Sequence, residues 1–274
     1  MLIAIRVVLS LAVVMAMGCR SDHPPLRLAT TTSVDNSGLL EAILPSFQQQ
    51  ADVEVQVVAV GSGRALQLLR RGDADVALTH DPLSEAELLK AMPGAAYRKV
   101  MFNDFVLVGP PSDEAHVKQA VTAADAMRRI AASNVAFVSR GDESGTHSRE
   151  RQLWEQAGAR PQSVHLLETG QGMAATLRIA SERRAYTLTD RATFMQLADG
   201  LRLQPLYQQG AELLNTYAVI ALAETRESAA AQFITWLSDG DGRGRISSFT
   251  IAGTHPFFVW PADIPRDTPD ALPR

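Results

Sequence analysis

The strongest constraint on the fold is a regular alternation of strand-like and helix-like segments. Short apolar runs at residues 26–29, 53–60 and 74–78 are typical of buried strands, and segments at 38–50 and 62–71 carry apolar residues at helical spacing. A β-α-β-α-β order favours a parallel sheet covered by helices, and right-handed crossovers bring the carboxyl ends of its strands to one edge. We therefore predict an α/β fold whose functional residues lie at the sheet edge where the strands end.

A long strand-like stretch at 97–108 ends at Gly-Pro-Pro, and a second set of alternating segments follows it. The predicted elements there are helices at 123–132, 144–157 and 172–181 and strands at 135–138, 164–167, 185–188 and 201–206. A strand at 216–222 and helices at 227–237 and 242–249 complete the chain. We predict two lobes with a cleft between them: lobe 1 comprises residues 26–109 and 215–274, and lobe 2 comprises residues 110–214.

The first residues are expected to form no part of this fold. Residues 7–17 are nearly all apolar, too short for a membrane span of about 20 residues but suited to a signal peptide. Gly18 and Cys19 follow, so we predict a signal peptide at 1–18 and a linker at 19–25. A plain cleaved signal and a lipoprotein signal with lipid on Cys19 remain as alternatives, and we favour the lipoprotein.

Composition excludes some functions. Hydrophobic residues make up 46% and charged residues 20% of the 274 residues, as in ordinary globular proteins, and the formal net charge is −4. No basic run or aromatic-basic alternation occurs, so we expect no nucleic-acid partner. The only cysteine is Cys19, so no internal disulfide can form.

Small polar residues collect where three predicted strands end. The motifs are TTTS at 30–33, GSG at 61–63 and SRGDESGTH at 139–147. Each offers hydroxyls and backbone N–H groups near a helix N-terminus, where partial positive charge favours an anion. Arg140 adds a full charge and a fork of donors. This chemistry suits a small tetrahedral oxyanion and requires no metal or cofactor.

Structural explanations compete with this hypothesis. Ser144 could simply cap its helix, and residues 30–33 could form a polar turn. Arg64 fits a solvated helix face, and Asp190-Arg191 fits an internal salt bridge. His80-Asp81 fits a turn before proline better than a metal site. Asp142 and Glu143 could cap the helix, pair with Arg140, or repel an anion.

These motifs, together with RGDADV at 71–76, FNDFVLVGP at 102–110 and YTLTDR at 186–191, resemble the tungstate-binding proteins of bacterial ABC importers. The resemblance runs in order over residues 26–260. It implies a two-lobed periplasmic-binding-protein fold (type II), with mostly parallel sheets flanked by helices and a ligand cleft between the lobes. One departure is Ser62, where the family usually has threonine, but a hydroxyl remains.

The resemblance also implies a role for particular residues. The ligand residues carried over by motif are Thr31, Ser33, Ser62, Arg140 and Thr146, with Thr32, Gly63, Ser144 and Gly145 as a second group of candidates. The implied partners are a tungstate or molybdate oxyanion, an ABC permease with its ATPase, and a membrane reached through the lipid anchor. The expected location is the periplasmic or cell-surface side of the membrane.

Two other functions are weighed against tungstate transport. The first is binding of another tetrahedral oxyanion, phosphate or sulfate. The second is a serine-dependent hydrolase that uses Ser62 or Ser144. A serine nucleophile needs a base within reach, and neither a Gly-x-Ser-x-Gly motif nor a phosphate-binding Walker loop occurs, so we expect no enzyme.

Overall fold

The computed structural model describes residues 24–222 and 228–269. The predicted signal peptide, Cys19 and most of the linker lie outside the described residues. Within those residues, no helix is long and apolar enough to cross a membrane.

The strands form one large mixed sheet and a small companion sheet. Their bounds are β1 Leu26–Thr31, β2 Val55–Val60, β3 Val76–Thr79, β4 Ala96–Gly109, β5 Phe137–Ser139, β6 Leu166–Glu168, β7 Thr187–Asp190, β8 Gln204–Tyr207, β9 Leu214–Ala221 and β10 Phe258–Val259. The large sheet has the order β10-β4-β9-β3-β1-β2, and β7 and β8 also pair with β4. The pairs β1–β2, β1–β3 and β5–β6 are parallel, as the alternating pattern predicts.

Ten α-helices flank the sheets in the described part of the chain. Their bounds are α1 Thr32–Asn36, α2 Leu39–Ala51, α3 Ser62–Arg71, α4 Pro82–Ala91, α5 Ala123–Ala132, α6 Gly145–Ala157, α7 Met173–Arg183, α8 Arg191–Leu197, α9 Ala229–Ser238 and α10 Asp241–Ser248. Local sequence sets several of their ends. Thr122 caps the start of α5, and Gly72 adopts the left-handed conformation that ends α3.

Two large hydrophobic cores support the two lobes. The core of lobe 1 includes Phe47, Tyr217 and Phe233. The core of lobe 2 includes Phe137 and Trp154, whose rings meet edge to face at 5.1 Å. Strand β4 contributes to both cores, because its first half pairs with β9 and β10 and its last half pairs with β7 and β8. The residues at which one lobe passes into the other stay a prediction.

The predicted α/β architecture is confirmed, and the differences from the predicted elements are local. Residues 30–33 were expected to form a loop, but β1 continues to Thr31 and α1 begins at Thr32, because the Thr31 side chain accepts from Val34 N–H at the helix start. Helix α8 was not predicted. It begins directly after Asp190, whose carboxylate accepts from Thr193 N–H and caps it.

Candidate functional site

Lobe 1 contributes hydroxyl groups from the ends of β1 and β2. Thr31 Oγ1 and Ser33 Oγ lie 3.1 Å apart, and Ser33 Oγ lies 3.4 Å from His80 Nε2. Ser62, the first residue of α3, is buried and accepts from His80 N–H at 3.4 Å. Its helix is preceded by Gly61, which has no side chain to cap it. The first N–H groups of α3 therefore lack intrahelical partners beside a cluster of buried hydroxyls.

Lobe 2 contributes a buried arginine and the start of α6. Arg140 follows β5 and is only 2% exposed, and its guanidinium pairs with Asp142. Asp142 also accepts from Ser144 N–H at 3.2 Å, and Ser144 Oγ accepts from His147 N–H at 3.2 Å. Ser144 thus acts as the helix cap, and Asp142 forms the ion pair that the sequence offered as one alternative. The carboxylate holds Arg140 in place.

The two lobes meet at this junction. A Cβ added to Gly145 would lie 2.7 Å from the carbonyl oxygen of His80, so only glycine permits the approach. A Cβ on Gly172 would lie 3.6 Å from Thr32 Oγ1. Ser148 Oγ also donates to Asp81 Oδ1 at 3.3 Å across the junction. The structure is therefore a closed arrangement, in which the hydroxyls of lobe 1 face the helix start of lobe 2.

His80 connects the site to the strands below it. His80 Nδ1 lies 2.9 Å from Asn215 Oδ1, and Asn215 Nδ2 donates to Tyr217 Oη at 2.8 Å and to Asn103 Oδ1 at 2.9 Å. Burial, reinforced by the charge of Arg140, lowers the pKa of His80 to about 4. The imidazole is therefore neutral at pH 7. With Nδ1–H donating to Asn215, its Nε2 accepts from Ser33.

Several buried polar atoms at the junction have no hydrogen-bond partner among the described residues. They include Thr32 Oγ1, Arg140 Nε and Thr146 Oγ1. Leaving such a group unpaired costs about 1–3 kcal/mol, and more when it is charged. Each of these three groups can donate a hydrogen bond, so an anion with several acceptor oxygens would satisfy them together.

A serine hydrolase and a cation site are two other chemistries that can be compared with this geometry. Hydrogen bonds link Ser33 to His80 and His80 to Asn215, in the same sequence as the nucleophile, base and orienting group of a serine hydrolase. However, a pKa of about 4 makes His80 a weak base, far from the value near 7 that general base catalysis favours. Ser62 meets only the backbone of His80, and Ser144 only that of His147. Within residues 24–222 and 228–269, no three His, Cys, Asp or Glu side chains cluster as cation ligands.

The nine candidate residues drawn from the sequence lie on elements that meet at this junction, and their contact with a ligand stays a prediction. Thr31, Thr32, Ser33, Ser62 and Gly63 come from lobe 1, and Arg140, Ser144, Gly145 and Thr146 come from lobe 2. Arg64 is exposed, as expected for a helix face. The interpretation of Asp190-Arg191 as an internal salt bridge is wrong: Asp190 caps α8, and Arg191 pairs with Asp104 at 3.9 Å.

Sequence reasoning missed His80 and Asn215 as parts of this junction. For His80 a signal was present, because it follows β3 at the same sheet edge as the hydroxyl motifs. The residue was instead expected to lie in a turn before proline.

The chain is similar to known proteins. Residues 20–240 match the PBP superfamily domain. The tungstate-binding protein TupA of Peptoclostridium acidaminophilum is 41% identical over 195 residues, covering 70% of this chain and 68% of that protein. The tungstate-binding protein TupA of Campylobacter jejuni is 32% identical over 245 residues, covering 86% of this chain and 90% of that protein.

A solved structure provides the same comparison in three dimensions. The crystal structure of the tungstate ABC transporter from Geobacter sulfurreducens matches with a TM-score of 0.74 at 39% identity, covering 82% of this chain and 98% of that chain.

Proposed function

This chain belongs to the PBP superfamily, in the family of the TupA proteins, and on that basis we propose that it is the substrate-binding protein of an ABC importer for tungstate. It captures the oxyanion between its lobes and delivers it to a permease that works with an ATPase. Molybdate, a tetrahedral oxyanion of nearly the same size, is the competing ligand. The chain acts as a binding protein and carries out no reaction.

One observation carries this proposal: buried donors without partners meet a buried arginine at the lobe junction. Thr32 Oγ1, Arg140 Nε and Thr146 Oγ1 all require acceptors. The N-terminal N–H groups of α3 and α6 add further donors at the same place. A bare oxyanion has four oxygens that only accept, and it satisfies such a set without needing an acceptor from the protein.

The same donor set disfavours phosphate. At neutral pH phosphate keeps a proton, and a site that binds it benefits from an acceptor for that proton. The unpartnered groups at the junction, Thr32 Oγ1, Thr146 Oγ1 and the guanidinium of Arg140, can donate hydrogen bonds. Sulfate carries no proton but is smaller than tungstate, so it would leave the donors on one lobe out of reach.

We place the protein on the outer side of the membrane, where substrate-binding proteins of importers meet their permease. A lipid on Cys19 would keep it at the surface. Growth with a tagged fatty acid tests the anchor: the wild-type protein should be labelled and Cys19→Ser should not. Equal labelling of both proteins would contradict lipidation at this position.

Isothermal titration calorimetry tests the function. We expect one tungstate per chain, displacement of tungstate by molybdate in competition, and little heat with phosphate or sulfate. Heat with phosphate and none with tungstate would refute the proposed function.

A further inference from the structure

Asp190 is a fully buried carboxyl group for which the site described above has no use. Its Oδ1 accepts from Thr193 N–H at 2.9 Å, as a helix cap. Its Oδ2 meets no donor at hydrogen-bonding geometry among the residues that the structure describes, although the Thr193 hydroxyl is close enough to lower the pKa of Asp190, and the residue is 0% exposed. A buried ionised oxygen without a donor is costly, so the second oxygen requires a proton or a ligand.

Strand register places Asp190 at the ligand junction. Phe137 pairs in parallel with Tyr186, and Val138 N–H donates to the Tyr186 carbonyl at 2.8 Å. Counting forward along both strands brings Asp190 beside Arg140 and Gly141. From the other lobe, α1 packs against α8, the helix that Asp190 caps. Asp190 therefore lies between the Arg140 loop and the helix that carries Ser33.

The charges around Asp190 do not balance when a dianion is bound. Arg140 is close enough to lower the pKa of Asp190, but burial outweighs it and the pKa is raised overall. Arg140 is already paired with Asp142. A doubly negative ligand would bring further negative charge to the same arginine.

Arg149, on α6, is partly buried with its guanidinium 6.0 Å from the ring of Phe105, the residue that pairs with Asp190, but the carboxylates of Asp81 and Glu212 act on it. The other titratable groups near Asp190 in the described part of the chain provide no further positive charge in the interior. His80 is neutral at pH 7, and Tyr217 is buried with its pKa raised well above 10. Asp104 and Arg191 lie about one third exposed and face each other. Glu150, on α6, is buried, but both of its oxygens accept hydrogen bonds, from Ser139 Oγ and Trp154 Nε1. The remaining charged residues of the adjoining helices α1 and α7 are exposed: Asp35, Arg178, Glu182 and Arg183.

We propose that binding of the oxyanion is coupled to protonation of Asp190, whose Oδ2–H then donates a hydrogen bond to an oxygen of the ligand. This inference rests on the proposed function. The proton comes from solvent, and no bond of the oxyanion forms or breaks. In the open protein, water can reach the carboxylate. Closure on a dianion excludes that water and adds negative charge beside Asp190, so the protonated form becomes the stable one.

The coupling has a defined sign. A group whose pKa is higher in the complex than in the free protein makes affinity fall as pH rises between those two values, by about tenfold per pH unit. A protonated Asp190 offers a donor to a bare oxyanion, as the other unpartnered groups at the junction do.

The experiment measures proton uptake on tungstate binding. Calorimetric titrations between pH 6.5 and 9, in buffers with different ionisation enthalpies, give the number of protons taken up. We expect uptake of up to one proton by the wild type, and affinity that falls at least tenfold over this range. Asp190→Asn keeps a cap for Thr193 and a donor in place of Oδ2. It should show no uptake from this site and an affinity that varies less than threefold with pH.

Further variants and a spectroscopic readout separate the outcomes. Glu150→Gln, a buried carboxyl with both oxygens hydrogen-bonded, should leave proton uptake unchanged. Asp190→Ser keeps a capping hydroxyl and should abolish the uptake. If both Asp190 variants misfold, infrared difference spectra of the wild type still decide, because a protonated carboxylic acid band must appear on adding tungstate.

Tight tungstate binding without proton uptake or a carboxylic acid band would overturn the role of Asp190 and leave the proposed function intact. Uptake that persists in folded Asp190→Asn would do the same. No tungstate binding at any pH would instead refute the proposed function.

Discussion

Replacement of Gly145 by alanine should prevent full closure without damaging either lobe. The added Cβ would lie 2.7, 2.8 and 2.9 Å from His80 O, Nδ1 and Cε1. His80 cannot turn away, because it is buried and held by Asn215 at 2.9 Å. The two lobes must therefore stand apart until the contact reaches the ordinary 3.4 Å or more.

The cost of this displacement follows from the geometry of hydrogen bonds. The contact of the added Cβ must lengthen from 2.7 Å to 3.4 Å or more, and the start of α6 moves with it. This movement stretches hydrogen bonds from lobe 2 to the ligand beyond the roughly 3.2 Å limit for N–H···O contacts. Each hydrogen bond to a charged acceptor contributes about 1.5–3 kcal/mol. Loss of one of them should cost about 1.5–3 kcal/mol, so tungstate affinity should fall about 10-fold to 140-fold.

Calorimetry with tungstate measures the affinity, and small-angle X-ray scattering measures the compaction that accompanies binding. Gly172→Ala is the matched control, since its Cβ also points across the junction but meets Thr32 Oγ1 at a comfortable 3.6 Å. We expect Gly172→Ala to bind nearly as the wild type does. Wild-type affinity and compaction in Gly145→Ala would show that the contact with His80 does not limit closure, and the reasoning would fail.

Three further predictions concern single side chains. Arg140→Ala should weaken tungstate binding by about 3–5 kcal/mol, because the buried dianion loses its principal cation; calorimetry showing less than tenfold weakening would contradict this. Thr146→Val should weaken binding by about 1.5–3 kcal/mol and leave the melting temperature of the ligand-free protein unchanged or higher, because it removes an unpartnered buried hydroxyl. Burial raises the pKa of Glu150 to about 7, above its unfolded value of about 4.3, so the stability from its protonated form is lost as pH rises from about 4 to about 7. Burial raises the pKa of Glu85 to about 7 as well, so it contributes the same pH dependence to both proteins. Urea unfolding at pH 5 and pH 8 should therefore show a loss of stability up to about 3 kcal/mol larger in the wild type than in Glu150→Gln; equal pH dependence in both would assign it to other groups.

The sequence predicts the part of the site that depends on strand ends. Thr31, Ser62 and Arg140 each lie at or just after the carboxyl end of a strand, and parallel strands bring such ends to one edge. This rule needs only local patterns, so the hydroxyl motifs and the arginine were identified without a structure.

The rest depends on sheet order and on very short elements. His80 and Asn215 are 135 residues apart in the chain, and they meet because β3 pairs antiparallel with β9, which no local pattern encodes. Helices α1 and α8 have five and seven residues, too few to show helical periodicity. Asp190 could not be assigned for the same reason, since its role as a cap requires knowing that a helix follows it.

Strand β4 has a mechanical consequence. It runs unbroken from Ala96 to Gly109, and backbone hydrogen bonds tie its two ends to different halves of the protein. Opening of the cleft must therefore bend a hydrogen-bonded strand, whereas a flexible linker would let the halves move freely. The bent strand favours return to the closed arrangement, and the two halves should unfold as one cooperative unit when the protein is heated.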